Sequence, residues 1–271
     1  MHREDIRKRN NVTITGRPDG QVMLFAHGFG CDQAMWRYVA PKFEDRYRVV
    51  LFDYVGSGKS DWSAYDERRY ASLEGYARDV LDVIEAFDLQ DIIFVGHSVS
   101  SMIGMLAAIE APDRFDRMVM IGPSPCYTNE AGYVGGFERK DLEGLLDLME
   151  KNYIGWAQFL APVVMKNPGN PALAQELQES FCATDPRHTK QFAQATFLSD
   201  CRAQLAKFRI PSLILQCSED AVAPDCVGEY LSQRLHGSEL RQMKATGHCP
   251  HMSHPGETIE LMEEYLAAAH A

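Results

Sequence analysis

The chain has 271 residues, 45% hydrophobic and 24% charged, with a formal net charge of −11 at pH 7; these values suit one large globular domain, or one domain carrying an insertion. The acidic balance argues against nucleic acid or an anionic membrane as a partner. The first ten residues are charged and do not resemble a secretory signal, no apolar run approaches the ~18 residues of a membrane span, and the seven cysteines lack CxxC spacing, so we expect a cytoplasmic protein with reduced thiols.

Strand-like and helix-like runs alternate from residue 22 to about residue 123, and the alternation resumes after about residue 207. The predicted strands are residues 22–26, 48–53, 92–95, 117–122, 210–217 and 240–245. The predicted helices are residues 73–87, the run after residue 98, 227–235 and 257–269. This order predicts an α/β fold with a mostly parallel central sheet and helices on both faces.

The segment between residues 124 and 207 contains no strand-like run and four helical ones, residues 141–152, 154–166, 173–181 and 189–198. We therefore predict a core of residues 1–123 and 208–271 with a helical lid, residues 124–207, inserted between two late strands. A plain accessory bundle is the alternative. If the segment is a lid, some of its aromatic side chains face the site beneath it, and the candidates are Phe137, Trp156, Phe159 and Phe197.

The stretch from Gly96 to Ser100 joins a predicted strand to a predicted helix and has Ser98 at its centre. A serine at the apex of such a tight turn is typical of the nucleophile elbow of α/β-hydrolases. Strand and helix nearly touch there, so the residues two before and two after the serine must be small. Gly96 meets this demand, and Ser100 stands where the G-x-S-x-G pattern has a second glycine.

A serine hydroxyl needs a base to act as a nucleophile, and in this fold the acid and then the histidine follow the serine along the chain. The loop after the strand at 210–217 offers Glu219 and Asp220, and we choose Asp220 because it stands a few residues before Pro224. His248 follows the last strand, after Gly247. The predicted catalytic residues are therefore Ser98, Asp220 and His248.

An oxyanion hole requires two backbone N–H groups directed at one point. The residue after the nucleophile, Val99, is one candidate donor. Phe29, in the glycine-containing loop after the strand at 22–26, is the other, and its ring could also form an apolar wall for the substrate. A glycine-rich turn with no such role is the alternative.

Two motifs resemble other kinds of site. Residues 56–60 (GSGKS) resemble the end of a phosphate-binding loop, but Asp53 stands where that motif requires glycine, so we interpret residues 53–60 as a structural turn. His248, His251 and His254 have a spacing that suggests zinc, but Pro250 and Pro255 prevent one regular helix from presenting all three. We therefore predict no metal, and we also expect no cofactor. We interpret His251 and His254 as structural or as buried partners of backbone groups, and His97 as packing beside the turn.

Longer segments resemble the RsbQ-like α/β-hydrolases, bacterial regulators of the general stress response, and more distantly the plant strigolactone and karrikin receptors. These segments are HGFGCDQAM (27–35), LFDYVGSGKS (51–60), FVGHSVSSMIGM (94–105), IGPSPCY (121–127), KNYIGW (151–156) and GHCPHMSHP (247–255). Ser100 departs from the glycine expected in RsbQ and matches the plant receptors. The resemblance implies the same catalytic and oxyanion residues, a four-helix lid over a closed apolar pocket, and a PAS-domain phosphatase or kinase as a possible partner.

The sequence thus predicts a serine hydrolase that acts on a small apolar ester or lactone-like ligand, in small-molecule signalling or stress-response regulation. A metabolic carboxylesterase without a signalling role is one alternative, and a ligand-binding receptor without catalysis is another. The expected partner in all three is a small hydrophobic molecule.

Overall fold

The computed structural model describes residues 2–268 and contains one seven-stranded sheet. Its strands lie in the order β1-β3-β2-β4-β5-β6-β7. All neighbouring strands are parallel except β1, which pairs antiparallel with β3 at one edge. The strand bounds are β1 Thr13–Gly16, β2 Val22–Ala26, β3 Arg48–Phe52, β4 Ile92–His97, β5 Phe115–Ile121, β6 Ser212–Ser218 and β7 Ser238–Thr246.

The central strands β2 and β4 are buried at every position because both faces of the sheet are covered. Along β2, Leu24 packs into one core cluster, whereas its neighbours Met23 and Phe25 pack into a second cluster. Successive side chains of a strand point to opposite faces, so the two clusters are the two sides of the sheet. The predicted α/β-hydrolase architecture, a mostly parallel sheet with helices on both faces, is confirmed.

The described part of the chain, residues 2–268, contains ten α-helices. They are α1 Arg3–Arg9, α2 Leu73–Ala86, α3 Val99–Glu110, α4 Arg139–Lys151, α5 Tyr153–Met165, α6 Pro171–Cys182, α7 Pro186–Phe197, α8 Asp225–Ser232, α9 Pro250–Ser253 and α10 Pro255–Ala268. Helices α2, α3 and α8 contribute to the first cluster and α10 to the second. None of the helices in residues 2–268 is long and apolar enough to cross a membrane.

Helices α4 to α7 follow one another between β5 and β6, at the carboxyl ends of the strands. We call residues 124–207 the helical insert. Most of its buried side chains, including Leu142, Trp156 and Phe181, belong to the same core cluster as β2 residues Met23 and Phe25. Others, among them Phe192 in α7, belong to the cluster on the opposite side of the sheet. The insert therefore contributes to both cores of the sheet domain.

The turn at residues 53–60, which resembles a phosphate-binding loop, is organised by a buried carboxylate. Asp53 accepts hydrogen bonds from the Lys59 and Gln33 N–H groups and from Asn11 Nδ2, at 2.7–2.9 Å. A Cβ atom at Gly58 would lie 2.5 Å from an Asp53 oxygen. A carboxylate of the chain itself therefore accepts hydrogen bonds within this turn, as expected of a structural turn.

Candidate active site

Ser98 occupies a strained turn between β4 and α3. Its φ is +56°, a backbone conformation that residues with a side chain seldom adopt. The Ser98 N–H donates to the Ile121 carbonyl at 2.7 Å, which ties the turn to β5. A Cβ atom at Gly96 would lie 2.7 Å from the Ser100 carbonyl oxygen, so strand and helix come as close as the motif demands.

Ser100 fits at the second small position because its hydroxyl group is fully used. Ser100 Oγ donates to the His27 carbonyl and lies 2.8 Å from the Tyr54 hydroxyl. All three residues are completely buried. The departure from glycine therefore introduces no unpaired polar group and adds a link between α3 and the loops after β2 and β3.

His248 lies between Ser98 and Asp220, and both of its ring nitrogens are hydrogen-bonded. Ser98 Oγ is 2.7 Å from His248 Nε2, and Asp220 Oδ2 is 2.7 Å from His248 Nδ1. Because a carboxylate only accepts, Nδ1 carries the proton and Nε2 accepts from the serine hydroxyl. The three side chains form one continuous chain of hydrogen bonds at the carboxyl ends of β4, β6 and β7.

The loops that carry the acid and the base are held by backbone contacts. Asp220 Oδ1 accepts from the Val222 and Ala223 N–H groups at 2.8 and 3.1 Å. Glu219, the alternative acid, is exposed and forms an ion pair with Lys166 at 2.9 Å. The geometry therefore selects Asp220 as the residue that meets His248.

The peptide of His248 is also bound to the helical insert. Its N–H donates to the Val164 carbonyl in the last turn of α5 at 2.9 Å. Asn167, just after α5, donates from Nδ2 to the Met165 carbonyl at 2.8 Å and to the Thr246 carbonyl at 3.0 Å. The insert therefore contacts the backbone that positions His248.

The two amides predicted for an oxyanion hole, those of Phe29 and Val99, donate no hydrogen bond to any acceptor within residues 2–268. Val99 is the first residue of α3, where a helix leaves its N–H groups without intrahelical partners. The Phe29 ring packs 5.6–5.7 Å from the rings of Phe192 and Phe197. Both amides are thus available to a bound group.

A small, mostly apolar cavity of about 30 Å³ adjoins Ser98 and His248. A water molecule needs about 10–15 Å³ on this measure, so the cavity holds roughly two waters. No Asp, Glu, Lys or Arg side chain of residues 2–268 lines it. The lining residues are Phe29, Cys31, His97, Ser98, Leu160, Val164, Leu177, Phe181, Thr196, Phe197, Val222, His248 and Cys249.

Of the four aromatic residues predicted to face the site, Phe197 lines the cavity. Trp156 is buried one layer behind the wall, with its ring 6.1 Å from that of Phe29. Phe159 and Phe137 are not among the residues that line the cavity. Phe159 is 58% exposed, and the Phe137 N–H donates to the Tyr127 carbonyl at 3.1 Å.

Tyr127 is a functional candidate that the sequence analysis missed. Its hydroxyl group is buried and makes no hydrogen bond of standard geometry within residues 2–268, but it interacts with the Ser98 side chain. Burial raises the pKa of Tyr127 far above its ordinary value, so the hydroxyl keeps its proton. Tyr127 ends the segment IGPSPCY (121–127) in the irregular loop after β5, but no catalytic motif marks it.

A group of buried histidines lies beneath the site. The ring of His97 is 5.0 Å from that of His248 and 4.3 Å from that of His251. Burial, with a smaller contribution from neighbouring charges, lowers the pKa of His97 well below its ordinary value and that of His251 to about 3. Both rings are therefore neutral near pH 7. Within residues 2–268, no three His, Cys, Asp or Glu side chains are arranged to hold a metal ion.

The two thiols beside the cavity, those of Cys31 and Cys249, are protonated and unreactive near neutral pH. Burial raises the pKa of Cys31 to about 12 and that of Cys249 well above the ordinary thiol value. All seven cysteines are free, and Cys182 and Cys226 are exposed. The reactive arrangement at this site is therefore the serine and not a thiol.

This geometry can be compared with known proteins. The model of the Alpha/beta hydrolase family matches residues 23–261, a range that contains every strand from β3 to β7 and all three hydrogen-bonded side chains. The chain belongs to that family. Its fold, with the serine turn after β4 and the histidine after β7, is the α/β-hydrolase fold.

Within the α/β-hydrolases, the chain is similar to plant proteins over nearly its whole length. It is 37% identical over 262 residues to the karrikin insensitive 2 receptor CA of Petunia hybrida, covering 96% of this chain and 97% of the relative. It is 34% identical over 267 residues to a strigolactone esterase of Arabidopsis thaliana, covering 98% and 99%. Among solved structures, a hydrolase from Oleispira antarctica has a TM-score of 0.95 and 47% identity, and 98% of each chain is covered.

Proposed function

We propose that this α/β-hydrolase cleaves small apolar esters or lactones with Ser98 as the nucleophile, His248 as the base and Asp220 as the orienting acid. The observation that carries the proposal is the continuous hydrogen-bond chain from Ser98 Oγ through both nitrogens of His248 to Asp220, with two links of 2.7 Å. This is the arrangement that a serine needs in order to attack a carbonyl group near neutral pH.

In the first step, Ser98 Oγ attacks the carbonyl carbon while its proton passes to His248 Nε2. Asp220 accepts the Nδ1–H bond throughout and stabilises the positive charge that the ring gains. His248 then returns the proton to the leaving oxygen, and an ester bond to Ser98 remains. A water molecule, activated by the same ring, attacks this acyl-enzyme and releases the acid.

The negative charge on the carbonyl oxygen requires donors that are already in place. The N–H groups of Val99 and Phe29 are our candidates, because neither is used by another acceptor in the described residues. Removing one such donor typically costs about 10²–10³-fold in kcat. Phe29 would at the same time place its ring against the apolar part of the ligand.

The cavity lining supports a small, neutral and apolar ligand. A charged ligand would lose its hydration without gaining an ionic partner there, at a cost of several kcal/mol. Since about 30 Å³ is too small for an ester of more than a few atoms, binding requires displacement of side chains. The insert residues Leu160, Leu177 and Phe197 are the candidates, so the insert would act as a lid that opens to admit the ligand.

We further propose that hydrolysis serves small-molecule signalling. The support is the similarity to a karrikin receptor and a strigolactone esterase over at least 96% of the chain, together with the resemblance to the RsbQ-like regulators. On this proposal the partner is a PAS-domain phosphatase or kinase in the cytoplasm. The similarity to a protein named as a receptor also favours a second candidate function, ligand binding without turnover.

The test uses a fluorophosphonate probe and a short-chain p-nitrophenyl ester on the wild type, Ser98→Ala and Ser57→Ala. We expect the probe to label Ser98 alone, and Ser98→Ala to lower kcat about 10⁴-fold or more. Ser57 is a matched control, since it is also a buried serine in a turn after a strand. Labelling elsewhere, or full activity in Ser98→Ala, would refute the proposal. Saturable ligand binding with no turnover would support the receptor function instead.

A further inference from the structure

We propose that His97 is a positioning residue for the base: its imidazole N–H holds the backbone carbonyl of His248 and so fixes the distance between the nucleophile turn and the histidine loop. This inference rests on the proposed hydrolase function. It adds a role to the sequence interpretation that His97 packs beside the turn. His97 is 3% exposed and immediately precedes Ser98.

The hydrogen bond itself determines the protonation of the His97 ring. Nε2 of His97 lies 2.8 Å from the His248 carbonyl oxygen. A carbonyl oxygen only accepts, so Nε2 carries the proton, and the neutral ring has a bare Nδ1. Nδ1 has no partner in residues 2–268 and faces Gly28, where a Cβ atom would lie 2.4 Å away. The glycine leaves room for the His97 ring at this position.

The peptide of His248 is consequently held at both ends. Its N–H donates to the Val164 carbonyl of the helical insert at 2.9 Å, and its C=O accepts from His97 at 2.8 Å. The His97 bond links the base to the residue before the nucleophile, whereas the other bond links it to the insert. Because a displacement of about 1 Å at reacting groups can cost about 10²-fold in rate, the His97 bond bears directly on kcat.

His251 is a buried histidine near His97 whose ring does not hold the backbone of the base. It is as deeply buried as His97, and its ring lies 4.3 Å from that of His97 and 4.7 Å from that of Trp36. Neither of its nitrogens has a hydrogen-bond partner in residues 2–268. The His251 ring fills space beside the site and makes no hydrogen bond to the backbone of the base, so it is the matched control.

The experiment compares kcat, KM and thermal midpoint for His97→Leu, His97→Gln and His251→Phe. Glutamine places an N–H the same number of bonds from Cα as histidine Nε2 and can restore the contact, whereas leucine cannot. We expect His97→Leu to lower kcat about 10- to 100-fold with KM within about threefold. We expect His97→Gln to keep kcat within about fivefold, and His251→Phe to keep it within about twofold.

Equal losses in His97→Leu and His97→Gln, an unchanged kcat in His97→Leu, or an equal loss in His251→Phe would overturn the proposal. Because His97 also lines the cavity, a change in KM with unchanged kcat would assign it to ligand contact and would overturn positioning as well. If His97→Leu does not fold, ¹⁵N NMR of the wild-type imidazoles decides, since we expect Nε2–H for His97 and an Nδ1–H ring would refute it. Failure of the hydrolase function is recognised separately, by an active Ser98→Ala variant.

Discussion

Replacement of Asp220 by asparagine tests the orientation of the base. In the native site Asp220 Oδ1 accepts from two backbone N–H groups, those of Val222 and Ala223, while Oδ2 accepts from His248 Nδ1. In Asp220→Asn the amide oxygen stays with the two backbone donors, because an NH₂ group there would face two N–H groups. The NH₂ group then points at His248 and donates to Nδ1. The proton of the ring is forced onto Nε2, which can no longer accept from Ser98.

The expected loss is large because the contact is buried. The side chain of Asp220 is fully buried and that of His248 is 5% exposed, so water cannot replace the carboxylate. In Ser-His-Asp proteases the same replacement costs about 10⁴-fold in kcat. At 1.36 kcal/mol for each factor of ten, this is about 5 kcal/mol of transition-state stabilisation. The shape of the side chain is preserved, so we expect the thermal midpoint to change by only a few degrees.

The assay is steady-state hydrolysis of a short-chain p-nitrophenyl ester, with a melting curve for each variant. Glu219→Gln is the matched control, because Glu219 stands next to Asp220 in the chain but pairs with Lys166 at the surface. Such exposed ion pairs contribute about 0–1 kcal/mol, and we expect kcat to be unchanged. An Asp220→Asn variant that keeps more than a tenth of the activity would refute the reasoning, and so would an equal loss in Glu219→Gln.

Two further predictions concern the cavity and the buried histidines. Phe197→Ala should lower KM for a small ester about tenfold, because it removes a cavity-lining side chain that must otherwise move aside for the ligand. Phe159→Ala should change KM by less than twofold, because Phe159 is exposed; equal effects would contradict the assigned wall. Burial lowers the pKa of His251 in the folded protein to about 3, from an ordinary value of 6.5. Between these two pH values the unfolded chain binds a proton at His251 that the folded chain does not. The free energy of unfolding is therefore highest above pH 6.5 and decreases as the pH falls towards 3. In His251→Phe, the slope of the unfolding free energy against pH should be smaller by about 1.4 kcal/mol per pH unit between pH 4 and 6, as measured by urea unfolding. An unchanged slope would contradict this. The control is His236→Gln at the surface, for which we expect the wild-type slope.

The sheet could be predicted because its strands are short apolar runs bounded by turns. Each of the six predicted strands is present, with ends that differ by no more than two residues at most positions. Strand β1, Thr13–Gly16, was missed because it is a four-residue edge strand with half of its side chains exposed. The strand conformation of these residues depends on antiparallel hydrogen bonding with β3, which their own sequence does not indicate.

The sequence predicted the site residues whose position depends on the end of a strand. It missed residues whose position depends on how the insert helices pack. Ser98, Asp220 and His248 each follow a recognisable strand, and the carboxyl ends of parallel strands meet at one edge of the sheet. The faces of the insert helices were harder to predict. Helix α5, Tyr153–Met165, is apolar on nearly every side, so its sequence contains no periodicity that separates Phe159, which faces outwards, from Leu160, which lines the cavity.

The contact between His248 and the helical insert limits how this protein could be redesigned. A helix leaves its last carbonyl groups without partners inside the helix. At the end of α5, the His248 N–H donates to the Val164 carbonyl, and the Asn167 side chain donates to the Met165 carbonyl. One hydrogen bond thus completes a helix and anchors a loop of the sheet domain. Excision of the insert, or exchange with that of a relative to widen the pocket, would leave a buried N–H unpaired beside Ser98. The insert is not an interchangeable module, and grafts would have to retain the end of α5 and Asn167.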